Sequence, residues 1–333
     1  MNKYVFLIIC FLWSGVISGQ EKSIFDQFMA LENPECRIIT DYRYLIRNKA
    51  EEKYIPGLLL VKHPNFPDTF HVEVRTRGVS RKQICYFPPL KVKFSKKEIE
   101  LDTFNDIKVV NTCRTTPTYD EYLIKEYLIY KLYNILTDKS LRAQLINMVY
   151  DHEETKKPVV MHSIILESEE QFASRFESTI YAPKVTLSSR VDSIPLGIMT
   201  IFQYLIANTD WAIGNQHNCF VIRGKGSYPI AIPYDFDYAG IVGTDYAVPH
   251  ETLPIKDIKE RYNRGKCLSP ESYRQARKFV LDKKPEMMDY LAQTTLLEEK
   301  AKRDFVRFLE ESFEILEDEK MAERIFTKDC RSD

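Results

Sequence analysis

Two acidic stretches hold the side chains best suited to chemistry. The denser is Asn208-Thr209-Asp210-Trp211-Ala212-Ile213-Gly214-Asn215-Gln216-His217-Asn218, and the second is Pro233-Tyr234-Asp235-Phe236-Asp237-Tyr238-Ala239-Gly240. Phosphoryl-transfer sites use an aspartate to orient the incoming hydroxyl and an asparagine five positions later to hold a metal. Asp210 and Asn215 have that separation. The spacing alone is weak, because Asp and Asn are common loop residues that hydrogen-bond their own backbone. The Asp-x-Asp stretch strengthens it. Magnesium takes hard oxygen ligands from one or two carboxylates, an amide and phosphates, and Asp235 with Asn215 meets that need. His217 reads as a structural hydrogen-bonding residue, since no second histidine stands at zinc-ligand spacing.

A third carboxylate stands on a different element. Glu126 has Tyr122, Leu123, Ile129 and Tyr130 three and four residues to either side, so on a helix it projects from an apolar stripe. Buried without a partner it would cost several kcal/mol, so the sequence predicts a cation beside it. Glu121 and Lys125 read as an ordinary surface pair. Candidate cations lie between His71 and Phe94. Arg75, Arg77, Arg81 and Lys82 surround Gly78 and Ser80 in what reads as a basic turn between two strands. With a single glycine, that turn would grip a nucleotide by guanidinium groups more than by backbone N–H. In Leu90-Lys91-Val92-Lys93-Phe94, strand geometry puts both lysines on one face. Lys93 leads into Lys96 and Lys97, a solvated basic run, which leaves Lys91 as the preferred partner of Glu126.

Positioning these groups requires a sizeable folded unit. The chain has 333 residues, 44% of them hydrophobic, with 20 Tyr and 19 Phe, which excludes disorder and low-complexity architecture. Lys and Arg total 47 against 48 Asp and Glu, so no global field recruits nucleic acid or an acidic membrane surface. Residues 1–19 read as an export signal: Lys3, an apolar run from Tyr4 to Trp13 too short to span a bilayer, then Ser18 and Gly19. The chain is therefore expected to be periplasmic or extracellular, without stable membrane insertion. Six cysteines remain beyond that segment, Cys36, Cys85, Cys113, Cys219, Cys267 and Cys330. An even number in an oxidising compartment points to disulfides of unread connectivity.

The first half is strand-rich, with strands expected over Gly57–Lys62, Thr69–Arg77, Leu90–Phe94, Ile107–Asn111, Gln144–Tyr150 and Val159–Leu166. A long helix over Tyr119–Leu136 interrupts them. Glu167 ends the last strand, just before an acidic helical segment over Ser168–Phe176. Asp192 and Ser193 cap a helix that stops at Asn208. A hairpin follows between Cys219 and Pro233, and both acidic loops should emerge on the same side. From Ser269 onward the pattern is three or four amphipathic helices, with Pro270 and Pro285 each marking a start. Arg261-Tyr-Asn-Arg264-Gly265-Lys-Cys267 reads as a disulfide-tied turn or a piece of substrate recognition. The fold class is α+β: a strand-rich portion over 20–167 and a helical portion over 168–333 carrying the acidic loops, as two lobes of one unit.

In order, the parts are basic turn, lysine strand, helix with an inward Glu, strand ending in Glu167, Asp-x4-Asn loop, hairpin and Asp-x-Asp loop. This order resembles the spore coat protein H (CotH) kinase family of atypical protein kinases. The matching pieces are Arg77-Gly78-Val79-Ser80-Arg81, Leu90-Lys91-Val92-Lys93-Phe94, Asn208-Thr209-Asp210 and Pro233-Tyr234-Asp235-Phe236-Asp237, from about residue 55 to 240. The resemblance implies a two-lobed kinase-like fold, ATP with Mg2+ or Mn2+, and a protein acceptor. Asp210 would be catalytic acid/base and Asp235 the principal metal ligand, with Asn215 and Asn218 or Asp237 completing the shell. Lys91 or Lys93 would contact phosphates with Glu126 fixing that lysine, Arg77 or Arg81 would neutralise charge, and the backbone around Glu167 would read the adenine. Two other functions stay open. One is a non-catalytic kinase-fold binding module at the cell envelope, and the other a metal-dependent glycosyltransferase using Asp235 and Asp237.

Overall fold

In a computed structural model the described residues are 23–31, 34–63, 69–99, 104–151 and 158–331. The expected export segment lies outside them. The chain is a mixed α+β protein in which seven strands close into a barrel, in the order β1-β2-β3-β4-β5-β7-β6. These are β1 (Glu35–Thr40), β2 (Ile55–Lys62), β3 (Thr69–Thr76), β4 (Leu90–Phe94), β5 (Asp106–Asn111), β6 (Ala143–Asp151) and β7 (Val159–Leu166). All neighbours are antiparallel except β1 and β6, whose parallel pairing runs from Glu35 opposite Asn147 to Ile39 opposite Asp151. That pairing closes the sheet and removes its edges. β4 and β7 have the expected bounds, while β1 was not anticipated.

Alternation along the strands fills the barrel. Leu90, Val92 and Phe94 of β4 are buried with Ile38, Leu59, Val74, Val109 and Ile165 in one hydrophobic core. Lys91 and Lys93 fall on the opposite face, as their spacing predicts. Four short helices decorate this part: α1 (Ile24–Met29), α2 (Tyr42–Arg47), α3 (Ser80–Ile84) and α4 (Lys96–Ile99). The expected basic turn is thus only partly a turn, because Ser80 onward is helical.

A second core surrounds α5 (Pro117–Leu136), the expected long helix with Pro117 in its first turn. Leu128, Ile129 and Leu132 pack there with Phe202 and Leu205 of α7 (Ser193–Leu205) and with three C-terminal helices. Those are α8 (Pro270–Gln293), α9 (Glu299–Glu317) and α10 (Glu319–Thr327). Pro285 does not start a helix. It lies inside α8 on the exposed face, where the carbonyl it leaves unbonded can be hydrated while Val280, Met287 and Leu291 stay buried. α6 (Glu169–Arg175) precedes a three-stranded sheet in which β8 (Ser178–Ile180) pairs with the hairpin of β9 (Cys219–Gly224) and β10 (Ile230–Pro233), formed after α7. Of the six cysteines, Cys85 bonds Cys113 and Cys267 bonds Cys330, whereas Cys36 and Cys219 are buried free thiols. No helix among the described residues is long and apolar enough to cross a membrane.

Candidate functional site

The two acidic loops are brought together by main-chain bonds at the end of α7. Ala207, at φ 50°, follows the helix. Its carbonyl accepts from Gly240 N–H at 3.0 Å, and the Ile206 carbonyl accepts from Ile241 N–H at 3.2 Å. A Cβ at Gly240 would lie 2.3 Å from the Ile258 carbonyl oxygen and 2.8 Å from Ala207 Cβ. Only glycine lets the two segments approach this closely. The segment entering Asn208 is thereby fixed to the segment leaving Asp237.

Asp210 is held from three directions. Its N–H donates to Asn208 Oδ1 at 3.0 Å. Its Oδ1 lies 2.9 Å from His217 Nε2, and its Oδ2 accepts from Asn218 Nδ2 at 2.8 Å. The bond to Asp210 raises the His217 pKa against the effect of burial. His217 therefore has the structural role expected of it. Asn218, at φ 49°, also passes its carbonyl to Tyr234 N–H at 3.0 Å, so one asparagine joins the Asp210 loop to the residue before Asp235.

Asp235 stands at φ 60° with its N–H donating to the Tyr130 hydroxyl at 2.9 Å. Tyr130 lies one turn beyond Glu126 on α5, and the two face the same loop. Burial raises the Asp235 pKa, as does nearby Asp237, while Arg81 and Arg77 oppose them.

Glu126 is 1% exposed and does meet a cation, but not Lys91. Its Oε2 accepts from Arg81 Nη2 at 2.5 Å, and Arg81 Nε donates to Asp237 Oδ2 at 2.8 Å. Burial works against the Arg81 charge, and Asp237 and Glu126 together more than offset it. The expected Lys91–Glu126 pair is overturned because Lys91, outward on β4, is met by Asp106 at 3.0 Å on the adjacent strand. Lys93 pairs with Glu73 at 3.4 Å. Asp237, the alternative member of the expected metal shell, has its Oδ2 shared by Arg81 and the Tyr246 hydroxyl. Glu121 and Lys125 form the anticipated surface pair at 2.7 Å.

A cavity of about 450 Å³ opens between these parts, lined among others by Arg77, Gly78, Tyr130, Leu166, Asn218 and Asp235. Its size suits a small-molecule ligand. Asn215 also lines it, on the exposed part of its loop. Asp210 is not among the lining residues, but its hydrogen-bond partners His217 and Asn218 are. Arg77 lines the cavity, its N–H donating to the Pro89 carbonyl at 3.0 Å and its guanidinium making no hydrogen bond or ion pair to another described residue; burial lowers its pKa and Asp235 opposes that. Gly78, at φ 85° with open space around it, turns the chain from Arg77 into α3. Glu167 does not face the cavity with its side chain. It is clamped by Arg142 at 2.7 Å and Arg175 at 3.0 Å, while neighbouring Leu166 supplies the apolar wall.

Sequence reasoning passed over Lys108. It lies on β5, the strand directly before α5, on the same face as cavity-lining Val110 and opposite Leu166 in register. Its ammonium touches Glu169. Burial pushes its pKa down to about 7, helped by Arg77 and Lys91 and opposed by Glu170. The available signal was a lone lysine inside an apolar strand, Asp106-Ile-Lys108-Val-Val-Asn111.

The donor set beside the cavity fits a hard divalent cation. Asp235 is a carboxylate whose charge the fold disfavours, lining the same cavity as Asn218, and a cation would relieve that penalty. No cluster of three or more His, Cys, Asp or Glu side chains with metal-binding geometry occurs among the described residues, so phosphate and water oxygens would complete the coordination.

No protein-family model and no curated protein matches this chain. Among solved structures, the Helicobacter pylori proinflammatory kinase CtkA is similar at 10% identity, over 70% of this chain and 89% of that chain, with a TM-score of 0.38.

Proposed function

We propose that this chain is an exported, two-lobed kinase-like phosphotransferase that moves the γ-phosphoryl group of ATP to a hydroxyl of an acceptor protein. Residues 20–167 form the lobe over the nucleotide and residues 168–333 the lobe carrying Asp210 and Asp235. The observation that carries the reading is the Arg81 bridge from Glu126 to Asp237, set beside a cavity shared by Arg77, Asn218 and Asp235. Such a bridge ties a helix glutamate and an acidic loop to the turn that would cover the phosphates. Export to an oxidising compartment is supported by the Cys85–Cys113 and Cys267–Cys330 bonds.

Arg77 and Lys108 grip phosphate oxygens, and Leu166 and Val110 line the nucleotide's apolar side. Asp235, with Asn218 or Asn215, holds Mg2+ or Mn2+, which when bound neutralises charge on the phosphates. Asp210, oriented by His217 and Asn218, accepts the proton of the attacking hydroxyl. The hydroxyl oxygen bonds to the γ-phosphorus as the bond to the bridging oxygen of ADP breaks. Catalysis then rests on positioning and preorganised charge.

The test pairs thermal shift with autophosphorylation. ATP with Mn2+ should stabilise the wild type and Asp210→Ala alike, while only the wild type incorporates phosphate. Equal incorporation by both would remove Asp210 from its role. Absent stabilisation would favour a binding module, and selective stabilisation by a sugar nucleotide a glycosyltransferase.

A further inference from the structure

A groove of about 520 Å³ lies beside the Cys85–Cys113 bond and shares no lining residue with the Asp235 cavity. Its apolar residues are Phe87, buried and stacked on Tyr42 at 5.6 Å, and Ile84 and Tyr86, which stand 42% and 58% exposed. Its cations are Lys49 and Arg114, and no Asp or Glu lines it.

Both cations are held in place without a carboxylate. Lys49 Nζ donates to the Cys85 carbonyl at 2.5 Å. Burial lowers the Lys49 pKa, and no acidic side chain opposes that. The Arg114 guanidinium stands over the Tyr119 ring, 5.4 Å from its centroid, and makes no hydrogen bond or ion pair to another described residue. Stacking fixes a guanidinium by its face and leaves its N–H groups free to donate. Carboxylates on nearby segments are engaged elsewhere: Asp120 with His162 at 2.8 Å, Asp245 with the Tyr119 hydroxyl at 2.9 Å, and Glu52 with Arg75 at 2.8 Å and with Lys82.

The groove is also braced. Tyr86 and Phe87 N–H both donate to the Cys113 carbonyl, at 3.1 and 3.2 Å, and the disulfide ties the same two segments. A surface already fixed in this way loses little freedom when it binds. With Ile84 and Tyr86 so exposed, it does not enclose a small molecule. An exposed tyrosine beside an arginine is instead the kind of pair that anchors protein interfaces.

We propose that this groove docks a partner protein through a segment that lays an apolar side chain against Ile84 and Tyr86 and a carboxylate against Lys49 and Arg114. Charge complementarity selects the carboxylate, because the groove supplies two cations and no acid of its own. The proposal does not rest on the phosphotransfer reading, and either can fail alone.

A library of random peptides is selected on the full-length chain and counter-selected on the variant carrying Lys49→Gln with Arg114→Gln. Surviving peptides should carry Asp or Glu beside Leu, Ile or Phe. In fluorescence anisotropy they should bind Arg114→Gln about tenfold more weakly than the wild type, as expected of one charge-assisted hydrogen bond, and Tyr86→Ser should weaken them as well. Urea unfolding of each variant is the fold control. Lys49→Gln gives up the bond to the Cys85 carbonyl, so Arg114→Gln alone replaces the double variant if that protein unfolds. Survivors without acidic residues, or no peptide that discriminates wild type from variant, overturn the proposal. Phosphatidylserine vesicles form the second arm: vesicle binding that is lost in the same variants would assign the surface to a membrane and overturn the partner protein.

Discussion

Arg81 Nη2 lies 2.5 Å from Glu126 Oε2, joining residues 45 positions apart. The same guanidinium reaches Asp237, 156 positions away. One short helix, one long helix and one loop therefore share a single buried charge network.

Replacing Arg81 with methionine should leave Glu126 and Asp237 buried without their cation. Removing one partner of a buried pair costs about 3–5 kcal/mol, and urea unfolding of Arg81→Met should show a loss of that size. Lys91→Gln is the control. Its pair with Asp106 is partly exposed, at 27% and 24%, and such pairs contribute about 0–1 kcal/mol. If Lys91→Gln were the more damaging variant, Arg81 would not be the cation on which Glu126 depends.

The contrast between these two residues shows what the sequence can reveal. The faces of β4 and the apolar stripe of α5 are legible because alternation and helical periodicity act over a few residues. The need for a cation at Glu126 follows from the cost of burying a charge. Its identity does not, because the arginine sits on a helix of five residues that propensity reads as a turn. Closure of the barrel was equally hidden, since β1 pairs with a strand more than a hundred residues away and no local pattern encodes it. The approach of the two acidic loops was readable from their placement around the hairpin. The roles of Gly240 and Asn218 in holding them were not, because both depend on backbone geometry after a turn. Lys108 was missed because one lysine in a six-residue strand does not declare which face it occupies.

Lys108 should make stability depend on pH in a defined window. Its pKa falls from 10.5 to about 7 in the folded protein. Between those values the unfolded chain holds a proton that the folded chain lacks, so folding stability rises with pH across the window. Below about 7 both states are protonated and the burial penalty is fully present. Urea unfolding at pH 6, 7.5 and 9 should therefore show a larger gain for the wild type than for Lys108→Met, which removes the titrating group. Parallel pH profiles for the two proteins would mean that Lys108 keeps its charge through contact with Glu169.

Nucleotide binding should require both Arg77 and the cation. Arg77→Gln removes a guanidinium that has no ion-pair partner among the described residues, so it should cost little stability. It should weaken ATP binding about 10- to 100-fold, the value of charge-assisted hydrogen bonds. Asp235→Asn should reduce the dependence on Mn2+, and adding EDTA to the wild type should abolish stabilisation by ATP. The measurement is thermal shift over a range of ATP concentrations. ATP-dependent stabilisation that persists unchanged in Arg77→Gln and in EDTA would place the nucleotide elsewhere or nowhere.

The Cys85–Cys113 bond should bear on Arg81. Cys85 caps the end of α3, the helix that carries Arg81, and the Cys113 carbonyl accepts from Tyr86 and Phe87 N–H at 3.1 and 3.2 Å. The bond closes a loop with a sequence separation of 28, for which chain entropy gives about 3–4 kcal/mol of stabilisation. Cys85→Ser with Cys113→Ser should lose that amount in urea unfolding, and should also weaken stabilisation by ATP, because α3 is then held only by its main-chain bonds and the ion pairs of Arg81 and Lys82. Thiol titration provides the matching control. Cys36 and Cys219 are buried, and burial pushes both thiols up to about 12, so neither should react with a thiol reagent at neutral pH until the protein unfolds. Rapid native-state labelling of either would contradict their burial. An unchanged unfolding midpoint in the double serine variant would show that the main-chain bonds to Cys113 suffice to hold α3 and its arginine in place.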